Sequence, residues 1–281
     1  MYSSKVLHKI LYRGVSNINN REISDLIVGY MANYPRMKDT ESDWREPIIG
    51  FSDAHDPMFP TLKELIGPNH ALPSDIVPNA KSVIVFFLPF SKKIVKSNTL
   101  EEESSREWDI ANIETNKLVE DLNKYLYKKI VEAGYHASLV PATYNYDEKT
   151  LVSDWSQRHV AYISGIGKFG IHNMLITDSG CCGRLGSIIT DLKLKPSKRT
   201  KSENCLFKYN GSCQKCIKRC VNNVFQIKDD KVICDRRKCN EQIYDKICPI
   251  YPNGLGDACG KCMCNVPCSM INPFLTLQKE L

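Results

Sequence analysis

The sequence of 281 residues has no long apolar run. The longest, Val83 to Leu88 (VIVFFL), is far too short to cross a bilayer. The stretch MYSSKVLHKILYRG scatters Lys, His and Arg among its apolar residues and so lacks a signal-peptide core. A cytoplasmic protein without a membrane span is therefore expected. Glycine and proline are sparse, at 15 and 14 residues, and 42% of residues are hydrophobic, which excludes a disordered chain. Repeats and low-complexity tracts are missing, apart from a weak echo between two cysteine groups. Charge of one sign is also in short supply. The net charge of +6 permits an anionic partner, but the basic residues are scattered except for Lys193, Lys195, Lys198, Arg199 and Lys201, which read as a solvated linker.

Cysteine runs the other way. There are 13, and eleven lie at or beyond Cys205. With no secretory signal the thiols stay reduced, so metal is the default reading of such a cluster.

Arg21 to Tyr34 has apolar residues at helical spacing, with Pro35 as a stop signal. Lys81 to Phe90 reads as a buried central strand, and Ile113 to Ala133 as a long amphipathic helix ended by Gly134. A strand over His136 to Val140 and a helix from about Asp154 to Ser164 follow. Met174 to Thr177 and Ser187 to Thr190 look like two strands of a hairpin around the turn-rich DSGCCGRLG. The pattern gives an α/β or α+β domain up to Leu194, a basic linker over residues 195–204, and a cysteine-rich module over residues 205–281.

Within that module stand Cys205-x7-Cys213-x2-Cys216-x3-Cys220 and Cys259-x2-Cys262-x-Cys264-x3-Cys268, with Cys234, Cys239 and Cys248 between them. Ferredoxins with two 4Fe-4S clusters use C-x2-C-x2-C-x3-C, in which the fourth cysteine reaches across to the other cluster. Cys213, Cys216 and Cys220 fit the last three places, and Cys205 supplies the first across a short insertion. Zinc is the competing reading, but ribbons use four cysteines and a shorter loop.

Gly165-x-Gly167-x-x-Gly170 matches the dinucleotide fingerprint literally, but it follows a helix rather than a strand. A glycine loop that lets backbone approach a large flat ligand fits better.

Taken together, Arg158…SGIGKFG…LIT and the double-cluster module resemble the epoxyqueuosine reductase-like family of corrinoid- and iron–sulfur-dependent reductases, related to the reductive dehalogenases. The similarity spans Lys81 to Pro273 and is closest in Ser164 to Lys168 and in Cys234 to Ile243 (CDRRKCNEQI). It implies an α+β fold: a nitroreductase-like domain of the cobalamin-binding type, followed by a bacterial two-4Fe-4S ferredoxin-like module. It also implies that Cys205, Cys213, Cys216 and Cys268 hold the inner cluster, and Cys220, Cys239, Cys259 and Cys262 the outer one. Cys264 is an alternative to Cys268, while Cys181, Cys182, Cys234 and Cys248 are left over as structural thiols. Cobalamin would lie against Arg158, Gly165, Gly167, Lys168 and Gly170. Electrons would come from a ferredoxin- or flavodoxin-type donor, to reduce a small molecule or modified nucleoside.

The family's catalytic aspartate would fall on Leu151, so the proton donor must be sought nearby. Asp147, Asp154 and His159 are the candidates, with Glu148, Tyr144 and Tyr146 close by. Asp154, three residues before Gln157, also has the look of a helix N-cap. His159 equally suits a structural hydrogen bonder, and Arg158 either a clamp for an anionic cofactor side chain or a surface ion pair. The chain stops just after the cluster module, so the repeats that longer relatives use with tRNA are absent and tRNA is disfavoured as substrate. No twin-arginine signal suggests an exported dehalogenase. Two other functions compete: a ferredoxin-like carrier delivering electrons to a partner, and a zinc-binding interaction protein.

Overall fold

In a computed structural model, residues 18–141, 145–229, 231–251 and 255–280 are described. The strands are β1 (Ile48–Asp53), β2 (Ser82–Pro89), β3 (Ala137–Leu139), β4 (Tyr146–Asp147), β5 (Val152–Ser153), β6 (Gly167–Phe169), β7 (Leu175–Thr177), β8 (Gly183–Thr190), β9 (Phe225–Lys228) and β10 (Lys231–Cys234). A four-stranded antiparallel sheet of order β1-β2-β8-β3 forms the centre, and the remaining strands make three small ladders, β4 with β5, β6 with β7 and β9 with β10.

The unbroken apolar run of β2 has a physical cause. Val83, Val85 and Phe87 face a core built with the helix Gln157–Ile163. Ile84, Phe86 and Leu88 face the opposite core, built from the helices Asn20–Lys38 and Arg106–Glu132. Both faces of the sheet are covered, so the strand cannot alternate polar and apolar residues, although its neighbours are antiparallel.

Several local expectations are corrected. Pro35 lies inside the helix Asn20–Lys38, which ends at Asp39 in the left-handed region with φ 51. The proline has no N–H, so the helix gives up one backbone bond close to its last turn. The long helix begins at Arg106, capped by Ser105 Oγ. Its first turns bury Trp108, Asp109, Ile110, Ala111 and Asn112 on several sides, which hides the amphipathic period. Residues 174–177 and 187–190 do not pair with each other. β7 turns back on β6, and β8 runs along the whole of β2, from Ser82↔Thr190 to Pro89↔Gly183.

The basic stretch has exposed side chains, as a solvated linker should, but its backbone is tied down. Ser197 N–H donates to Phe51 O at 2.8 Å, and Arg199 pairs with Asp56 at 2.6 Å. A third core joins Phe90, Ile94, Trp108, Ile171 and Ile176 to Cys205, Cys216, Cys264 and Val266. Among the described residues no helix is long and apolar enough to cross a membrane.

Candidate metal centre

All 13 cysteines are free thiols. Cys205 precedes the helix Leu206–Asn210, and Gly211, left-handed at φ 76, turns the chain so that Cys213 and then Cys216 follow within one loop and helical turn. Cys205, Cys213, Cys216 and Cys268 line one cavity, walled by Ile171, Ile176, Val266 and Pro267. Burial, together with Cys268, Cys205 and Cys213 close by, pushes the Cys216 thiol up to about 12. A second group gathers around Cys262, whose thiol is pushed up by burial and by Cys259, Cys239 and Cys220. Burial and Cys259 likewise raise Cys239, to about 11. The first set lines an apolar cavity, and the thiols of the second, with Cys239 exposed, lie near enough to raise one another; soft donors of this kind suit iron–sulfur clusters.

The remaining thiols separate. Cys248 donates to Gly256 O at 3.2 Å, and Cys234 lies beside Asn173 and Arg158. Cys264 faces Asn98 Nδ2 at 3.6 Å and Cys182. Cys181 and Cys182 hold the end of the module through backbone bonds, Cys181 N–H to Cys268 O at 2.9 Å and Cys182 N–H to Ser269 O at 3.1 Å.

The acid candidates part company. Asp147 accepts the N–H groups of Lys149 and Thr150, both at 2.8 Å, which holds its carboxyl below the usual range and closes the β4–β5 turn. Asp154 does not cap the helix. Ser156 takes that position, and the Asp154 carbonyl accepts Ala71 N–H at 2.8 Å. Tyr146 and Glu148 are exposed, while Tyr144 lies outside the described residues.

His159 is better placed. Its Nδ1 lies 2.7 Å from Ser156 Oγ and its ring packs on Phe169. Burial, with Arg158, His70 and Arg236 nearby, lowers its pKa to about 4. At neutral pH the imidazole is therefore uncharged and cannot act as a cationic acid. His70 sets this geometry. Its Nδ1 donates to Ala71 O at 2.9 Å, leaving Nε2 to accept Ser156 N–H at 3.0 Å. Arg158 donates to Asn173 O at 2.9 Å and lies near Arg236 and the thiols of Cys234, Cys239 and Cys262. Lys168 Nζ sits 5.2 Å from the Tyr162 ring centroid.

The three glycines of the fingerprint face the protein itself. A Cβ on Gly165 would meet Lys198 O at 2.9 Å, one on Gly167 would meet Ile176 O at 2.6 Å, and one on Gly170 the His172 ring at 2.5 Å. On the side where a side chain would stand, each glycine therefore lies against the chain itself.

Two residues that the sequence did not single out complete the centre. His172, 1% exposed, brings Nε2 to 3.8 Å from Cys268 Sγ, and its Nδ1 has no hydrogen-bond partner among the described residues. The ligand atoms of His172, Cys181 and Cys268 all fall within 4.8 Å of one another, so Cys268 stands where the cavity meets this second group. Arg45 donates to Phe90 O, Met270 O and Ser179 O at 2.8–2.9 Å and so ties Met270 to the end of β2 and to the loop before β8. Neither stands in a motif; each is defined by neighbours distant in sequence.

No protein-family model matches the chain. An epoxyqueuosine reductase from Francisella cf. novicida (strain Fx1) is 27% identical over 176 residues, which is 62% of this chain and 46% of that protein. The chain thus spans about half the length of this curated relative. The solved epoxyqueuosine reductase of Bacillus subtilis superposes with TM-score 0.50 at 17% identity, over 88% of this chain and 66% of that one. A catabolic reductive dehalogenase gives TM-score 0.58 at 14% identity, over 92% and 33%. Another, described with a mechanism for B12-dependent dehalogenation, gives 0.56 at 15%, over 85% and 32%. The structural likenesses show a shared fold, and over 176 residues the sequence resembles that of an epoxyqueuosine reductase.

Proposed function

We propose that this chain is an iron–sulfur oxidoreductase that reduces a small molecule or modified nucleoside with electrons from an external ferredoxin- or flavodoxin-type donor. The observation that carries it is the cavity shared by Cys205, Cys213, Cys216 and Cys268, with Cys220, Cys239, Cys259 and Cys262 gathered as a second set. When bound, two 4Fe-4S clusters supply one-electron transfer.

The chain's own residues do the rest. The raised Cys216 thiol must lose its proton on ligation, so loading is favoured at higher pH. Ile171, Ile176 and Val266 give the inner set an apolar wall. His159, neutral and oriented through Ser156 and His70, can hold or accept a proton beside Arg158.

Support for a corrinoid is of another kind. It comes from the fold shared with a B12-dependent dehalogenase and from the sequence match to an epoxyqueuosine reductase. The close contacts of Gly165, Gly167 and Gly170 are with the chain itself on their Cβ side, so they add no support of their own. No step is therefore routed through cobalt.

The test is iron, sulfide and cobalt per chain, in protein purified anaerobically from cells supplied with cobalamin. About eight irons are expected. Cobalt at one per chain would add the corrinoid, and its absence would favour the electron-carrier reading. Zinc in place of iron would overturn the proposal.

A further inference from the structure

Lys261 lies between Cys259 and Cys262 in the sequence, yet its side chain is 1% exposed. Its Nζ donates to Leu100 O at 2.6 Å and Asn98 O at 3.4 Å, both neutral carbonyls. Among the described residues no carboxylate lies within ion-pair distance of it. The charged and titratable groups around it are Cys259, Cys264, Arg219, Glu103 and Asp109. Arg219 is anchored on the same loop, through Nη2 to Thr99 O at 3.0 Å.

Three successive carbonyls of residues 98–100 thus hold two cations against the outer set of thiols. Carbonyls solvate an ammonium group without neutralising it, and a buried cation without a counter-charge is costly. A methionine of similar length would fill the same space, although Leu100 O and Asn98 O would lose their Nζ donor. Glu103 and Asp109 lie beyond ion-pair distance, and the other groups facing it that can carry negative charge are the Cys259 and Cys264 thiols. The Cys259 sulfur also accepts the Lys261 backbone N–H, so the residue offers that ligand both a hydrogen bond and a charge.

We propose that Lys261 is a fixed counter-charge that raises the reduction potential of the cluster held by Cys220, Cys239, Cys259 and Cys262. The inference rests on the cluster reading above. Reduction adds one electron to that cluster, and a neighbouring cation stabilises the added negative charge; net charge and hydrogen bonds to sulfur are among the quantities that set such potentials. Lys261 is a positioning residue: it acts through the cluster and touches no substrate.

The experiment is a redox titration followed by electron paramagnetic resonance, on the full-length wild type and on Lys261→Met and Lys261→Arg. A Cys239→Ser variant assigns the outer cluster's signal. In Lys261→Met the equilibrium constant for one-electron reduction of the outer cluster is expected to fall about tenfold, a shift of about 59 mV to more negative potential. The inner cluster should move much less, and Lys261→Arg should restore the wild-type value. An unchanged outer potential in an iron-replete Lys261→Met protein would overturn the inference. If Lys261→Met does not retain iron, Lys261→Arg decides: wild-type iron content supports a requirement for charge, and equal loss shows that packing alone is at stake. Wild-type protein devoid of iron and sulfide would remove the cluster reading itself, an outcome distinct from all of these.

Discussion

His159 carries no charge at neutral pH, and this governs both its chemistry and its effect on stability. Its folded-state pKa, about 4, lies below the ordinary histidine value of 6.5. Between those values the unfolded chain binds more protons than the folded one, so stability is full above pH 6.5 and is lost as pH falls towards 4. Removing the imidazole by His159→Gln is expected to flatten part of the pH dependence of urea unfolding between pH 7 and 4. NMR titration of the wild-type ring should find its midpoint near 4, and an ordinary midpoint would refute the burial argument. The sequence marked Arg158 and His159 from their place beside the glycine loop. It did not show His70, because the ring that orients Ser156 comes from a distant segment and ordinary core histidines look the same. The cysteines were legible as a class from spacing alone. Their division into two sets came from resemblance, since spacing does not say which sulfurs turn towards one another.

At the scale of elements, legibility follows how much of a segment's pattern is local. β2 and the long helix were readable because each contributes a continuous apolar signature to the cores it joins. Leu122 on that helix is fully buried beneath the sheet. Leu122→Ala is expected to cost about 2–5 kcal/mol, measured by denaturant unfolding. β7 and β8 were misjoined for the opposite reason: short apolar strands either side of a turn resemble a hairpin, and only the tertiary fold reveals that β2 offers β8 a longer ladder. The linker was half legible. Its lysines do face solvent, but the bond from Ser197 to Phe51 depends on the free edge of β1, which the sequence does not display.

At the scale of the molecule, Arg45 joins segments distant in sequence, through Phe90, Ser179 and Met270. Arg45→Ala would strip three carbonyls of their donor, at a cost of about 1–3 kcal/mol. Hydrogen exchange should then quicken around residues 268–272 while β2 stays protected. On the proposed cluster reading, chelation under mild oxidation should loosen residues 205–268 and lower the Tm, because ligands that bind only the folded form add their binding energy to its stability. The central sheet should persist, and exchange measured region by region separates the two effects. The pairing of Cys181 and Cys182 with Cys268 and Ser269 also imposes an order in time. On the ribosome the sheet can close once Thr190 has emerged, but the two adjacent thiols keep their final backbone partners waiting until Cys268 follows, a delay on the order of ten seconds at ordinary synthesis rates. Throughout that interval the nascent chain presents two neighbouring cysteines to the cell without the backbone partners that later fix them.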